Sequence, residues 1–129
     1  MGKYKVWVYA ICKDEGTFVD RWMDSMSEAD GVCVLDTGSA DGTVEQLRAR
    51  GARVAVEEIS TWRFDTARNR SLELVPEDAD ICVCTDLDEV FHPGWRQVLE
   101  QVWVPGAGQV SYRYTWSFNA DGSEGVVFW

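Results

Sequence analysis

Apolar and polar positions fall into alternating blocks along the chain. The run KVWVYAIC, residues 5–12, is polar only at its start and reads as a strand. TFVDRWMDSM then sets Phe18, Val19, Trp22, Met23 and Met26 on one helical stripe. GVCVLD, residues 31–36, is a second short apolar run. GSADGT supplies turn residues, with Asp41 or Thr43 to cap the helix VEQLRAR, and Gly51 closes that helix at its C-terminal end. RVAVEE predicts a third strand. After the loop ISTWRF, Asp65 can cap the helix TARNRSLELV, which stops before Pro76. ICVCTD is the fourth strand, and Pro93 fits the first turn of the helix GWRQVLEQV.

Three strand-then-helix units followed by a fourth strand imply an α/β domain, with a mostly parallel sheet and helices on both faces. The near-continuous apolar strands agree with burial on both sides. The pattern changes near the end. In QVSYRYTWSF, Tyr112, Tyr114, Trp116 and Phe118 point one way, while Ser111, Arg113, Thr115 and Ser117 point the other. NADGSEG is a turn and VVFW starts a returning strand, so a C-terminal β-hairpin is predicted. The chain stops in mid-strand at Trp129. We expect a single domain over residues 1–129, cut short at its C-terminal end, with the last strand offering an edge for self-association.

Size and charge narrow the function. A chain of 129 residues can bury the core of one domain. No apolar run approaches the roughly 18 residues that span a bilayer, and the N-terminus lacks a cleavage site of small residues. A net charge of −10 argues against a nucleic-acid surface. Cys12, Cys33, Cys82 and Cys84 lie in strand-like runs and form no CxxC pair, which predicts buried reduced thiols in a cytoplasmic protein.

In open parallel sheets, ligands sit beyond the carboxyl ends of the strands. There the chain places CKDEG, DTGSADGT and TDLDE, so Glu15, Asp36, Asp41, Asp86 and Asp88 are expected on one rim. Like charges about 4 Å apart repel by about 4 kcal/mol at a surface-like dielectric. A hard divalent cation relieves that repulsion and lets an acidic rim hold a phosphate. A solvated acidic loop whose carboxylates cap the following helix is the plain alternative. The position of DLDE after a buried apolar strand favours the metal. G-x-G-x-x-G, the P-loop, the calcium loop and the H-E-x-x-H, nucleophile-elbow and kinase signatures are all absent.

Several stretches then align in order with one family. VLDTGSADGTVEQL resembles the D-T-G-S-x-D-G-T variant of family-2 glycosyltransferases. FDTARNRSLE is similar to their A-R-N helix, DLDE to their D-x-D-E metal motif, and AICKDE to their first strand and acidic turn. The resemblance spans roughly residues 5–95 and implies a Rossmann-like GT-A fold that binds a nucleotide-diphospho-sugar. It further implies inverting transfer from the donor, a UDP-sugar in many members, to a carbohydrate or other hydroxyl acceptor. It places Asp36 in the base-recognition motif and Asp86 near the ribose or a metal-bound water. Asp88, with Asp86, would ligate Mn2+ or Mg2+, and Arg68 would lie near the nucleotide phosphates. Residues 10–15, including Ala10, Cys12 and Glu15, would line the base pocket beside Thr37.

This chain departs from the family pattern at Thr37, where the commoner motif has a second Asp, and at Cys12 and Lys13, which replace a Tyr-Asn type pair. The family's catalytic base lies in a region beyond residue 129, and neither Asp121 nor Glu124 is assigned to it. His92, the one histidine, reads as a capping or packing residue, and Trp62 as either a cleft wall or a packing anchor. The aromatic ladder from Tyr112 to Phe118 reads as a packed sheet face. Arg68 could equally pair with Glu73 or Asp65. Two rival readings stand beside the transferase. One is a phosphatase of the haloacid dehalogenase kind, with Asp86 as nucleophile and Asp88 as acid/base. The other is a non-catalytic nucleotide-binding module.

Overall fold

The computed structural model describes residues 4–58, 64–103, 114–115 and 127–128. Strand β1 (Val6–Cys12) leads into helix α1 (Gly16–Met26), then β2 (Gly31–Asp36), α2 (Thr43–Ala49), β3 (Arg53–Val56), α3 (Phe64–Leu72), β4 (Ile81–Cys84) and α4 (Trp95–Val102). The four strands form one parallel sheet in the order β3-β2-β1-β4. The predicted α/β architecture is therefore present, with helices on both faces. Of the expected C-terminal hairpin, the described residues hold the antiparallel pair β5 (Tyr114–Thr115) and β6 (Val127–Phe128). The rest of that hairpin, with Asp121, Glu124 and most of the aromatic ladder, lies outside the described residues, as does Trp62.

Period-two alternation in the two inner strands divides the core. Val8, Ala10 and Cys12 of β1 and Val32 and Val34 of β2 face the α1–α2 side, against Val19, Trp22, Met23, Met26 and Leu47. The helical stripe read from TFVDRWMDSM is the inner face of α1, where Val19, Trp22, Met23 and Met26 are all buried. On the opposite face Ile11 and Leu35 pack against Ala67 of α3. Burial on both sides holds for β1 and β2 but not for the edges. β3 has no buried residue, and in β4 only Ile81 is buried. For this reason the expectation of buried thiols needs correction. Cys12 and Cys33 are buried, Cys84 is half-buried and Cys82 is exposed, and the four form no disulfide.

The helix ends refine the predicted caps. Gly51, at φ +92°, closes α2 as expected, with Ala52 N–H donating to Leu47 O at 3.1 Å. Asp41 caps from two residues before the helix, accepting from Thr43 N–H at 3.0 Å and from the Thr43 hydroxyl. Asp65 sits inside the first turn of α3 rather than ahead of it. Pro93 falls just outside α4, whose first turn is capped from elsewhere. Glu28 accepts from Gly94 N–H at 2.9 Å and from Arg96 N–H at 3.3 Å. Arg96 then donates to Glu28 O, Tyr4 O and Asp30, tying α4 to the start of the chain. No sequence pattern signals a cap supplied from 66 residues away.

Candidate functional site

The carboxyl ends of β1, β2 and β4 meet at one edge, as a parallel sheet requires, and the loops beyond them enclose an open pocket of about 290 Å³. It is lined by Ile11 and Cys12 at the end of β1, by Lys13 in the loop that follows and by Thr37 after β2. Three carboxylates, Glu15, Asp86 and Asp88, complete the lining.

The segment after β4 shows how two aspartates come to face one space. Leu87, between them, is fully buried in the α1–α2 core. Anchoring the middle residue turns its neighbours outward, so Asp86 and Asp88 both reach the pocket. Glu89 folds back over this turn. Its carboxylate accepts from Asp86 N–H at 2.8 Å, while Glu89 N–H donates to Asp86 O at 3.0 Å. On the other flank Arg21 of α1 donates to Asp88 O at 3.0 Å. Arg68 pairs with Asp86 at 3.3 Å. Arg70 pairs with Glu73, at 2.6 Å, and also holds Glu57.

The electrostatics agree with the crowding. Burial, and then the charges of Asp88 and Asp86, push the Glu15 carboxyl above its ordinary value. Of the five carboxylates expected on the rim, these three converge. Asp36 and Asp41 serve the scaffold. Asp36 is fully buried and accepts from Gly38 N–H at 2.9 Å, Ser39 N–H at 2.8 Å, the Ser39 hydroxyl and, at 3.5 Å, the Cys12 thiol. Burial raises the Asp36 carboxyl, but these hydrogen bonds outweigh it and hold the group below its ordinary value. Burial and the Asp36 charge push the Cys12 thiol upward, so it stays protonated and donates.

The DTGSADGT loop is stitched to the β1–α1 loop throughout. Asp14, at φ +53°, accepts from Ala40 N–H at 2.6 Å and Asp41 N–H at 3.3 Å. Ser39 accepts from Asp14 N–H at 2.8 Å, and Thr43 from Glu15 N–H at 3.1 Å. Thr37 donates through both its N–H and its hydroxyl to Cys12 O, at 3.0 and 3.2 Å. Ala10 is buried in β1 below the pocket, and His92 is exposed with its carbonyl accepting from Trp95 N–H. The sequence reading missed Asp14, Arg21, Leu87 and Glu89 as organisers of the site. Only Leu87 carried a signal, as an apolar residue between two acids.

The donor set suits a hard cation. Among the described residues, no group of three or more Asp, Glu, His or Cys side chains is placed to hold a metal ion by itself. Magnesium-type ions need none, since one or two carboxylates, water and substrate phosphates complete their shell. Asp86 and Asp88 present carboxylate oxygens to the pocket.

No protein-family model and no curated protein sequence matches this chain. Solved structures do. A glucosyl-3-phosphoglycerate synthase from Mycobacterium tuberculosis, in complex with UDP, superposes with a TM-score of 0.64 at 27% identity, over 81% of this chain and 42% of that one. A mycobacterial protein gives 0.61 at 29% identity, over 75% and 36%. The mannosyltransferase PcManGT from Pyrobaculum calidifontis, in complex with GDP-Man and Mn2+, gives 0.66 at 21% identity, over 84% and 35%.

This chain has the GT-A glycosyltransferase fold. It spans between about a third and two fifths of the length of these neighbours. In this chain Asp36–Ser39 lie at the end of β2 and just beyond it, and Asp86–Asp88 follow β4. Among the described residues no helix is long and apolar enough to cross a membrane.

One consequence concerns Glu89. Its carboxylate holds the turn that carries both aspartates, in the manner of the outer-shell partners of metal ligands. Glu89→Ala is expected to weaken metal-dependent nucleotide binding by about tenfold. Glu89→Gln keeps an acceptor for Asp86 N–H and is expected to retain most of it. Titration calorimetry of both variants against UDP in manganese checks this.

Proposed function

We propose that residues 1–129 form one nucleotide-sugar-binding domain of a divalent-metal-dependent glycosyltransferase. Its donor is a nucleotide-diphospho-sugar, UDP-linked in the first instance. The observation that carries the reading is the convergence of Asp86, Asp88 and Glu15 on one pocket at the carboxyl edge of the sheet. The bound molecules of two neighbours support it: UDP in the synthase and GDP-Man with Mn2+ in the mannosyltransferase.

In this reading Asp88 and Asp86 hold Mn2+ or Mg2+, and the donor diphosphate completes the shell. When bound, the cation stabilises the negative charge that grows on the leaving diphosphate. Arg68, held beside Asp86, adds a cation at the same end of the pocket. Ile11, Cys12, Lys13 and Thr37 receive the nucleoside. The transfer is a single displacement with inversion at the anomeric carbon, onto a hydroxyl of a carbohydrate or another acceptor. A carboxylate base takes the acceptor proton, and no residue of this chain is proposed for that role. Cytoplasmic placement and self-association through the last strand remain part of the proposal.

No observation favours the phosphatase reading. It requires Asp86 to attack phosphorus, yet that carboxylate is paired with Arg68. The test is titration of UDP and GDP into the chain with and without manganese. Binding that strengthens with the metal supports the assignment. Binding that ignores the metal, or an acid-stable aspartyl-phosphate on Asp86, overturns it.

A further inference from the structure

Helix α1 is bonded to both loops that carry the site. At its N-terminal end, Glu15 N–H donates to the Thr43 hydroxyl at 3.1 Å and Gly16 N–H to Asp41 at 3.3 Å, which ties the helix to the loop after β2. Arg21 and Ser25, one turn apart, hold the segment after β4. The Arg21 guanidinium lies over the Phe18 ring, 5.4 Å from its centroid, and donates to Asp88 O at 3.0 Å. The Ser25 hydroxyl accepts from Phe91 N–H at 2.8 Å and donates to Phe91 O at 3.2 Å. Both side chains grip backbone. The two aspartates of the turn are held unequally. Asp86 is bonded at its N–H and carbonyl by Glu89 and at its carboxylate by Arg68. Among the described residues, the bond from Arg21 is the only hydrogen bond that Asp88 makes.

We infer that Arg21 is a positioning residue for the metal ligand Asp88, fixing its place relative to Glu15 by tying both to one helix. The inference rests on the metal-dependent nucleotide-binding reading above and deepens it. Glu15 is the N-cap residue of α1, so its backbone moves with the helix. A carbonyl held at position 88 fixes the peptide plane that follows Asp88, and with it the direction in which the side chain leaves the chain. Without that bond Leu87 stays in the core and Glu89 stays over Asp86, but Asp88 loses its tie. A cation shared by two carboxylates needs both in place at once. Partners that orient metal ligands typically contribute about 10–100-fold. Charge alone argues the other way. A guanidinium beside a divalent cation repels it, so an Arg21 that acted only through its charge would weaken metal binding. The sign of the effect therefore separates geometry from electrostatics.

The experiment measures the factor by which manganese strengthens UDP binding in the parent, in Arg21→Met and in Arg21→Lys, with a thermal melt of each. Arg21 is exposed, so Arg21→Met is expected to melt as the parent does. It should lower the manganese factor about tenfold and leave UDP binding without metal within twofold. Arg21→Lys keeps a charged donor on a long side chain and should recover most of the factor. A factor that is unchanged or larger in Arg21→Met overturns the inference. So does a loss of metal-free binding and melting temperature in step with the factor, which would make Arg21 a purely structural contact. Either result leaves the site assignment standing. A parent whose UDP binding ignores manganese would remove both.

Discussion

Asp88→Ala is expected to abolish the manganese-dependent part of nucleotide binding, a loss of a hundredfold or more. Changes to outer-shell partners alone cost about 10–100-fold, and removal of a ligand costs at least as much. The two remaining carboxylates are poor substitutes. Asp86 is already paired with Arg68, and burial and the charges of Asp88 and Asp86 push the Glu15 carboxyl above its ordinary value. The damage should be local. Leu87 stays buried, Glu89 still closes the turn, and Arg21 holds the backbone carbonyl at position 88 rather than the lost carboxylate. Stability should therefore change by no more than about 0.5 kcal/mol. The measurement is calorimetry of UDP with and without manganese, alongside a thermal melt. A variant that binds UDP in manganese as tightly as the parent would end the assignment of the metal to this turn.

The fold was legible because each strand and helix carried its own local signal. GVCVLD is β2 from end to end, and the helical stripe of α1 is its buried face. A parallel order follows from strand–helix alternation, and the rim follows from the parallel order. What the pattern could not separate was burial from function among identical residues. Asp36, Asp41, Asp86 and Asp88 all follow strands, yet two serve backbone N–H groups and two face the pocket. The difference lies in which donors the folded loops bring close. Asp36 meets Gly38 and Ser39 within its own turn, whereas among the described residues the Asp88 carboxylate meets no backbone donor and Asp86 meets Arg68 from α3. The exposure of Cys82 escaped for a similar reason, since an apolar strand looks alike whether it is central or at an edge.

Asp36→Ala separates the scaffold from the site in the opposite direction. It should cost about 3 kcal/mol of folding stability, because it strands two backbone N–H groups and a hydroxyl in a fully buried position. The midpoint of thermal unfolding should fall by roughly 10 °C. The effect must depend on pH, and its sign is determined. The folded-state value of Asp36 lies below its ordinary one, while the unfolded chain titrates near about 3.9. Its stabilisation is therefore complete above about pH 4 and fades as pH falls through the lowered folded value. Parent and variant should differ most at pH 7 and converge on acidification. Asp36→Asn, which keeps one acceptor oxygen, should fall between them. Urea unfolding at pH 7 and pH 3 measures the gap directly. A gap that stays constant would mean that the charge of Asp36 contributes nothing and that the loop is held by shape alone.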